Sequence, residues 1–348
     1  MKTLETDRLI LRKFSQDDFA AVHSYASDPD NVTYMFWGPN SEADTRTYLD
    51  TAIKLAEETP CRNYQYAVVI KETGELIGGC TISTMDKGLD TAEIGWLVRC
   101  KHWNQGYGYE MGKRMLEFGF DELNLHRIIA RCDAENVGSY RLMEKLGMRR
   151  EGLHFDIRPP HKKSDRTFSD GLSYAMLKFE WKVAKEIAYY NALPFEFTGF
   201  IDIPELTNGE IYLVCTAKKP ANPEKNWAPC YYFAVCKGNE KIGDVNIRMG
   251  YGGGPKNDNL YYGGQIGYAI DEAYRGNNYA AEACKLLLHV IKSHKMTKVL
   301  ITNNYTNTAS RRVCEKLGAR LVRLVRLPEW SDLYQGGQRF VNIFEWNV

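Results

Sequence analysis

Hydrophobic residues along the first half of the chain follow two different periods, which predicts a mixture of strands and helices. Period-two runs rich in branched and aromatic residues predict strands over 9–11, 66–70, 76–84, 91–98, 127–132, 148–153 and 172–180. Helical periodicity and capping residues predict a helix after Ser15 and further helices over 41–56, 108–123 and 139–146. Strands that come first and then alternate with helices favour a mixed sheet with helices on both faces.

The second half repeats this order from Tyr231 onward. Strands over 265–270 and 299–302 and helices over 280–294 and 310–317 have the same sequence of types and spacings. The first two helices have no counterpart, because only the short polar stretch 218–230 follows the strand 211–215.

Short motifs make the repetition specific. The motifs that recur in the same order are Ile94-Gly95-Trp96 with Ile266-Gly267-Tyr268, the turns at 103–108 and 275–280, and Asn136-x-x-Ser139 with Asn307-x-x-Ser310. Glu110 and Glu282, just after the two turns, are 172 residues apart. One supersecondary unit has been duplicated, so each half holds a version of the same site.

Length and charge narrow the class of protein. A chain of 348 residues suggests about two domains, and the repeat predicts a first domain over 1–182, a connector over 183–191 and a second domain over 192–348. The net charge of +1 gives no global electrostatic reason to bind nucleic acid or an anionic membrane. No apolar run approaches the roughly 20 residues of a membrane span, and the N-terminus lacks an apolar signal region. We therefore expect a cytoplasmic protein.

Nine cysteines are scattered along the chain without a Cys-x-x-Cys pair. An odd number without paired spacing favours buried, reduced thiols over disulfides or a metal centre. We expect no metal site.

The recurring turn has the composition of a phosphate site. A glycine-containing turn between a strand and a helix exposes unpaired backbone N–H groups at the positive end of the helix dipole. A lone Gly-x-Gly is weak support, but here the turn recurs at the same distance after a strand and before an Asn-x-x-Ser helix. That context predicts a pyrophosphate site in each half.

With these motifs, both halves resemble the GNAT superfamily of acyl-CoA-dependent N-acyltransferases. The resemblance covers nearly the whole chain and implies two α/β (α+β) domains, each with a mixed, mostly antiparallel sheet flanked by helices. It also implies acetyl-CoA as the acyl donor, whose pyrophosphate the turn binds and whose pantetheine arm the preceding strand pairs with. By this resemblance the cofactor-binding residues are Leu97, Val98, Gln105, Gly106, Tyr107, Gly108 and Asn136 in the first half, and Ala269, Ile270, Arg275, Gly276, Asn277, Asn278, Tyr279, Ala280 and Asn307 in the second.

The first half is most similar to the ribosomal-protein alanine acetyltransferase (RimJ/RimL-like) branch of the family. The residues that carry this similarity are Thr6-x-Arg8-Leu9-x-Leu11-Arg12, Trp103-x-Gln105-Gly106-Tyr107, Glu151-Gly152 and Asp170-x-x-x-Tyr174. The branch also includes enzymes that act on small amines and antibiotics, so the substrate cannot be inferred from the fold.

Two positions depart from the family pattern. Asn278 replaces a turn glycine in the second half, although asparagine tolerates left-handed backbone conformations. The tyrosine general acid that many members carry on the last helix is replaced by Met143 and Cys314.

Acyl transfer to an amine needs a proton acceptor and a donor for the departing thiolate. Glu93, two residues before Gly95, either accepts the proton or forms a structural ion pair, and its counterpart Gln265 cannot act as a base. Ser139 either caps the last helix or faces the thioester, and Tyr140 either protonates the thiolate or packs in the core.

The acceptor wall implied by the resemblance falls on Tyr34, Phe36 and Trp37, with core packing as the alternative for these aromatic residues. The charged segment 154–170 is either a solvated loop or a site for an acidic acceptor, and the solvated loop is favoured.

The sequence thus predicts a tandem GNAT N-acetyltransferase that moves acetyl from acetyl-CoA to a primary amine by direct attack, with the active site in the first domain. The acceptor is a small-molecule amine or a peptide N-terminus. Two alternatives stay open: catalysis in the second domain with the first shaping the substrate groove, and a non-catalytic acyl-CoA sensor or scaffold.

Overall fold

The computed structural model describes residues 1–85, 90–160, 167–225, 227–251 and 259–348. Contacts divide the chain into a first unit, Met1–Ala184, and a second unit, Lys185–Val348. The predicted connector 183–191 lies within a continuous helix that supplies residues to both units.

The first unit is an eight-stranded sheet with helices on both faces. Its strands are β1 (Leu4–Glu5), β2 (Leu9–Lys13), β3 (Asn63–Ile70), β4 (Leu76–Thr84), β5 (Thr91–Val98), β6 (Arg127–Asp133), β7 (Arg149–Arg158) and β8 (Ser169–Leu177). Its helices are α1 (Phe19–Ala26), α2 (Glu42–Glu57), α3 (Tyr107–Glu117), α4 (Val137–Lys145) and α5 (Lys178–Asn191). The spatial order is β1-β2-β3-β4-β5-β6-β8-β7, and β5 with β6 is the parallel pair in an otherwise antiparallel sheet.

The second unit divides the same strands between two sheets. Its strands are β9 (Leu206–Thr207), β10 (Tyr212–Lys219), β11 (Cys230–Lys237), β12 (Glu240–Arg248), β13 (Ile266–Ile270), β14 (Lys298–Asn304), β15 (Arg320–Arg326) and β16 (Phe340–Asn347). Its helices are α6 (Asn259–Gly263), α7 (Tyr279–Leu286), α8 (Leu288–Ser293), α9 (Thr308–Lys316) and α10 (Asp332–Gln335). One sheet has the order β13-β12-β11-β10-β9 and the other β14-β16-β15.

This architecture confirms the predicted mixed, mostly antiparallel α/β fold, with four local corrections. The strand predicted over 172–180 ends at Leu177, where α5 begins and stacks Trp181 on Phe120. The helix predicted over 108–123 ends in a π-helical turn, and the one over 280–294 is interrupted at Leu287. The fourth correction is β7, which extends to Arg158 into a segment expected to be loop.

The sheet of the first unit separates two hydrophobic clusters. One lies under α3 and α5 and includes Ile94, Met111 and Trp181. The other lies under α1 and α2 and includes Leu49 and Leu97. In the second unit the described residues between β10 and β11 form no helix, as the polar stretch 218–230 predicts.

Glu110 fastens the start of α3 to the turn between β1 and β2. Its carboxylate accepts hydrogen bonds from the Thr6 hydroxyl at 2.5 Å, the Arg8 backbone N–H at 2.8 Å and the Arg8 guanidinium at 2.7 Å. Burial opposes ionisation of Glu110, but these hydrogen bonds outweigh it and lower the pKa of the carboxyl group. The first turn of α3 is thereby held in place on the sheet.

Gln265 joins the two sheets of the second unit. Its side chain is fully buried, donates to the Gly250 carbonyl at 2.6 Å and accepts from the Leu300 N–H on β14. Its backbone N–H also donates to the Leu300 carbonyl at 2.7 Å. Glutamine is required here because the side chain must donate at one end and accept at the other.

We predict that Gln265→Ala destabilises the second unit by about 2–5 kcal/mol, because it leaves the Gly250 carbonyl and the Leu300 N–H without partners. Gln265→Glu should be at least as harmful, since it places a carboxylate against a carbonyl inside the protein. Urea denaturation measures both, with exposed Gln335→Ala as the control. Unchanged stability in both Gln265 variants would contradict the role of this residue in joining the sheets.

We also predict that Glu110→Gln destabilises the first unit by about 1–3 kcal/mol near neutral pH. The folded pKa of Glu110 lies below its unfolded value, so its contribution is complete above about pH 4.3 and disappears as the pH falls through the folded pKa. The difference between wild type and variant should therefore shrink in acid. Amide hydrogen exchange in α3 at several pH values tests this, with exposed Glu117→Gln as the control; a pH-independent difference would refute it.

Candidate active site

The centre of the first unit is a gap between two neighbouring strands. β5 pairs with β6 only at Thr91, Ala92 and Glu93, and the two strands separate beyond that point. Along an antiparallel pair, the backbone groups of successive residues point alternately toward and away from the neighbouring strand. The Arg99 N–H donates to the Ile77 carbonyl near the start of β4, so the backbone of Arg99 faces β4. By this alternation the backbone groups of Leu97 face β4, whereas those of Trp96 and Val98 face the gap.

Trp96 is therefore a position that sequence reasoning missed. The alternation of the antiparallel pair, counted from the end of the strand, could have identified it. Of the two predicted strand residues, only Val98 presents its backbone to the gap, and its carbonyl accepts the Trp103 indole N–H at 2.7 Å. In the second unit, Arg275 donates in the same way to the Ile270 carbonyl at 3.0 Å, and the equivalent alternation turns Ala269 toward β12.

The predicted phosphate turn lies at the start of α3, beside this gap. Asn104 and Gly106 have φ values of 60° and 84°, so the turn contains two left-handed residues. Gly106 is the N-cap of α3 and has no side chain with which to cap it. The first N–H groups of the helix, at Tyr107, Gly108 and Tyr109, have no partner within the helix and point toward the turn.

A cation lies against this turn. The Arg8 guanidinium donates to the Gln105 carbonyl at 3.2 Å and lies 4.4 Å from the centre of the Tyr107 ring. Tyr107 is the first residue of α3. The turn therefore combines unpaired N–H groups, the positive end of a helix dipole and an arginine, which together favour an anion.

The start of α4 forms the other wall of the gap. Asn136 is the N-cap and its side chain accepts the Ser139 N–H at 3.1 Å, so this asparagine has a structural role in addition to the predicted cofactor contact. Tyr140 is half-buried, and its hydroxyl forms no hydrogen bond with the described residues. Met143, where many relatives carry a tyrosine, is buried in the core.

Glu93, the candidate base, is held in a bidentate ion pair. The Arg131 guanidinium on β6 donates to the two carboxylate oxygens at 3.0 and 2.5 Å. The Glu93 carboxylate raises the pKa of Arg131. The structure thus contains the ion pair that was the alternative role for Glu93, and both side chains remain about one third to one half exposed.

Arg158 belongs to the same region, although sequence reasoning favoured a solvated loop there. It is the last residue of β7 and is 9% exposed. Its guanidinium lies 4.1 Å from the centre of the Phe36 ring. Burial lowers the pKa of Arg158, and the charges of Asp133, Arg131 and Glu93 act on it as well. In the sequence, only the alternation of side chains along a β7 that continues to Arg158 could have indicated that this residue is buried.

The predicted acceptor residues divide into two groups. Phe36 and Trp37 are 64% and 42% exposed, so they are not core residues. Tyr34 is half-buried in the turn after α1 and has interacting partners. Phe36 is connected to the site by its contact with the Arg158 guanidinium.

Cys132, next to Arg131 on β6, is a buried thiol beside this cluster. Burial raises the pKa of Cys132 to about 11. The thiol therefore stays protonated near neutral pH and is a poor nucleophile.

The corresponding turn in the second unit keeps the backbone shape. Gly276 and Asn278 have φ values of 86° and 68°, and Asn278 is the N-cap of α7 without capping it through its side chain. Asn277 donates its amide to the Tyr274 carbonyl at 3.2 Å. Asn307 caps α9 by accepting the Ser310 N–H at 3.0 Å, as Asn136 does for α4.

The side chains around the second turn differ from those around the first. Tyr279, the counterpart of Tyr107, donates its hydroxyl to Glu210 at 2.9 Å. Glu210 also pairs with Lys237 at 3.1 Å, which neutralises the nearby cation. Both turns therefore have an ion pair nearby, Arg8 with Glu110 at the first and Lys237 with Glu210 at the second, but only Arg8 also donates to a carbonyl of its turn. Ala280, the next helical residue, is partly exposed.

In the second unit a side-chain hydrogen bond links β13 to α9 across the gap. Tyr268, the counterpart of Trp96, reaches from β13 to α9, and its hydroxyl lies 2.8 Å from the Ser310 hydroxyl. Burial raises the pKa of Tyr268 strongly, so the phenol stays neutral. Cys314, the counterpart of Met143, is buried, and Arg311 stands where the first unit has Tyr140.

Two further features bear on the class of site. Across the described ranges, no group of three or more His, Cys, Asp or Glu residues is arranged to hold a metal ion. The helices that the structure describes are all too short or too polar to cross a membrane.

Comparison with known proteins agrees with the geometry. The family model described as an acetyltransferase (GNAT) domain matches residues 8–149 and again 203–320. An uncharacterized N-acetyltransferase of Bacillus subtilis, YnaD, is 35% identical over 178 residues, which cover 51% of this chain and 98% of that protein. Spermidine N(1)-acetyltransferase of Vibrio cholerae is 25% identical over 42% of this chain and 81% of its own.

Among solved structures, an acetyltransferase (GNAT family) from Bacillus anthracis is 37% identical, covers 51% of this chain and all of its own, and has a TM-score of 0.45. The family model matches well over half of the chain and falls on both halves. The chain therefore belongs to the GNAT acetyltransferase family and is an acetyltransferase with a GNAT domain in each half.

Proposed function

We propose that the first unit is the catalytic domain and that it transfers acetyl from acetyl-CoA to a primary amine by direct attack within a ternary complex. The observation that carries this proposal is the contrast between the two gaps. In the first unit the gap is not bridged by any hydrogen bond between the described side chains of Trp96 and α4, whereas Tyr268 and Ser310 bridge it in the second.

The residues of the first unit fit acetyl-CoA, which supplies an activated thioester when bound. Uncapped N–H groups at Tyr107 and Gly108 and the Arg8 guanidinium suit a pyrophosphate. The Trp96 backbone, which faces away from β4, suits the amide groups of an extended arm. The same reasoning assigns Gln105, Gly106, Val98 and Asn136 to this surface.

Three residues are placed for the chemistry. Glu93 lies where β5 and β6 separate and, through its Arg131 pair, holds negative charge near the incoming amine, from which it accepts the proton directly or through water. The Tyr140 hydroxyl, which forms no hydrogen bond with the described residues, is placed to donate to the departing thiolate. Asn136 rather than Ser139 caps α4, and it holds the Ser139 N–H beside Tyr140. Since Cys132 stays protonated, direct attack by the amine is favoured over an acyl-cysteine intermediate.

The second unit keeps the fold but is unsuited to the same role. Gln265 cannot accept a proton and serves to join two sheets. These features speak against the alternative in which catalysis lies in the second unit, and leave it a supporting role.

The finer assignments rest on the same residues. The motifs around Arg8, Trp103 and Tyr174 support a RimJ/RimL-like first domain, and Tyr174 ties β8 to α4 through a 2.9 Å hydrogen bond to Glu144. The domain limits 1–182 and 192–348, a cytoplasmic location, and a small amine or peptide N-terminus as acceptor belong to this proposal.

We predict one CoA binding site per chain, located at the first turn. Gly106→Asp should weaken CoA binding about 5- to 150-fold, because it sets a negative charge against the pyrophosphate. Gly106→Asn, which copies the residue of the second turn, separates the effect of charge from that of size. Calorimetry on the full chain measures both, and Asn278→Asp in the second unit is the matched control.

Two binding sites per chain, or equal losses in Gly106→Asp and Asn278→Asp, would contradict the assignment of CoA to the first unit alone. Tight CoA binding without thiol release for any amine would favour the sensor or scaffold role.

Glu93→Gln and Tyr140→Phe should each lower kcat by about 100-fold or more while the affinity for CoA changes little, since both groups act on protons rather than on the cofactor. Thiol release under saturating acetyl-CoA measures kcat. Arg131→Gln keeps the carboxylate and removes its partner, so it should lower kcat less than Glu93→Gln does. Equal losses in these two variants would reduce Glu93 to a structural partner of Arg131.

A further inference from the structure

The Arg158 guanidinium is a largely buried cation. Its side chain is 9% exposed, yet among the residues that the structure describes no carboxylate lies within ion-pair distance of it. Arginine is rarely buried without a partner, because desolvating the charge is costly. Phe36 compensates part of this cost through its ring face.

The backbone conformation at the end of β7 directs the Arg158 side chain toward the site. Apart from this last residue, β7 is exposed or, at Gly152, half-exposed. Between His154 and Arg158 the pairing with β8 shifts register, and Asp156 adopts a left-handed φ of 50°. Gly171 on β8 makes room for the arginine stem, since a Cβ there would lie 3.2 Å from the Arg158 Cδ.

The register of the strands places Arg158 on the acceptor side of the gap. Asp133 on β6 pairs with Gly171 on β8, and the Arg158 stem lies beside Gly171, so Arg158 is near the end of the strand that carries Arg131. Besides burial, the charges of Asp133, Arg131 and Glu93 act on the pKa of Arg158, which agrees with this proximity. Glu93 and Gly95 lie on the face of the sheet that α1 and α2 cover, since they alternate with Ala92 and Ile94, which pack in the cluster beneath α3. Phe36, in the segment between α1 and α2, covers the guanidinium from the same side.

A guanidinium presents planar, paired N–H donors that match a carboxylate. Phe36 occupies one face of the plane, and none of the described carboxylates pairs with the donors on its edge. We propose that Arg158 binds a carboxylate of the acceptor, so that the substrate is an amine carrying a carboxylate, as in a free amino acid. This inference rests on the proposed function of the first unit and names its substrate class.

The same charge disfavours a polyamine. A second ammonium group on the acceptor would approach Arg158 and Arg131 and be repelled, whereas a zwitterion would set its carboxylate on Arg158 and its amine near Glu93. Spermidine is therefore expected to be a poor substrate of this chain.

The test compares amino acids with their carboxamides. Thiol release by the full chain is measured for matched pairs, such as leucine with leucinamide and phenylalanine with phenylalaninamide, and for spermidine. The quantity of interest is the ratio of kcat/KM for the carboxylate to that for the carboxamide. Comparing this ratio between wild type and variant cancels the different basicity of the two amines.

Arg158→Gln should lower the ratio about 10- to 100-fold, chiefly through KM for the carboxylate, while kcat/KM for the carboxamide changes less than about threefold. Arg158→Lys should restore part of the preference, because it keeps the charge and loses the paired donors. Arg150→Gln, which removes an exposed arginine from the same strand, is the control and should leave the ratio unchanged.

Equal loss for carboxylates and carboxamides in Arg158→Gln, or an unchanged ratio, would overturn the proposal and leave Arg158 a structural residue. Calorimetry of the same amino acids into the protein saturated with CoA gives a readout independent of turnover. Binding that disappears in Arg158→Gln supports the carboxylate site even without thiol release, and binding equal in both proteins refutes it. Absence of thiol release with every amine counts against the proposed function alone.

Discussion

Incomplete pairing between β5 and β6 is the constraint on which the site depends. Three residues pair in parallel and the rest of β5 has a free edge facing the gap. Backbone groups that lose a strand partner must find another one, because an unpaired buried N–H or carbonyl is costly. Trp103 provides a partner for the Val98 carbonyl, and the remaining edge at Trp96 is available to a ligand. The proposed catalytic surface is thus a discontinuity of the sheet rather than an addition to it.

The two halves meet this constraint differently. The first unit leaves the edge free and surrounds it with Arg8, Glu93 and Tyr140. The second unit satisfies its own groups: Gln265 joins the sheets, and Tyr268 bonds to Ser310. Side chains that would serve chemistry in one half serve stability in the other, while strand order and turn conformation are preserved in both.

The sequence could predict what depends on local pattern. Strand periodicity and the left-handed turn residues follow from short-range physics, and the duplication made them specific. The cap of α4 was assigned less well, because Ser139 was the candidate and Asn136 is the cap. The missing helices of the second half were equally visible, because a short polar stretch cannot hold two helices.

Tertiary pairing was not predictable from the same pattern. The partner of Glu93 is Arg131, 38 positions away, and nothing in the local sequence indicates that pair. The inward turn of Arg158 depends on a register shift in β7 and on the lack of a side chain at Gly171. The direction of the Trp96 backbone groups could have been derived from the antiparallel register once the end of β5 was known. The position of that end could not be predicted from the sequence.

The position of Gln265 also bears on the history of the duplication. A single nucleotide change separates codons for glutamine and glutamate, so the mutation that would make positions 93 and 265 alike is readily available. Its product, however, would bury a carboxylate against the Gly250 carbonyl at the junction of two sheets. Selection for folding would remove such a mutant before any gain of chemistry could be tested. The divergence of the two halves at this position is therefore difficult to reverse.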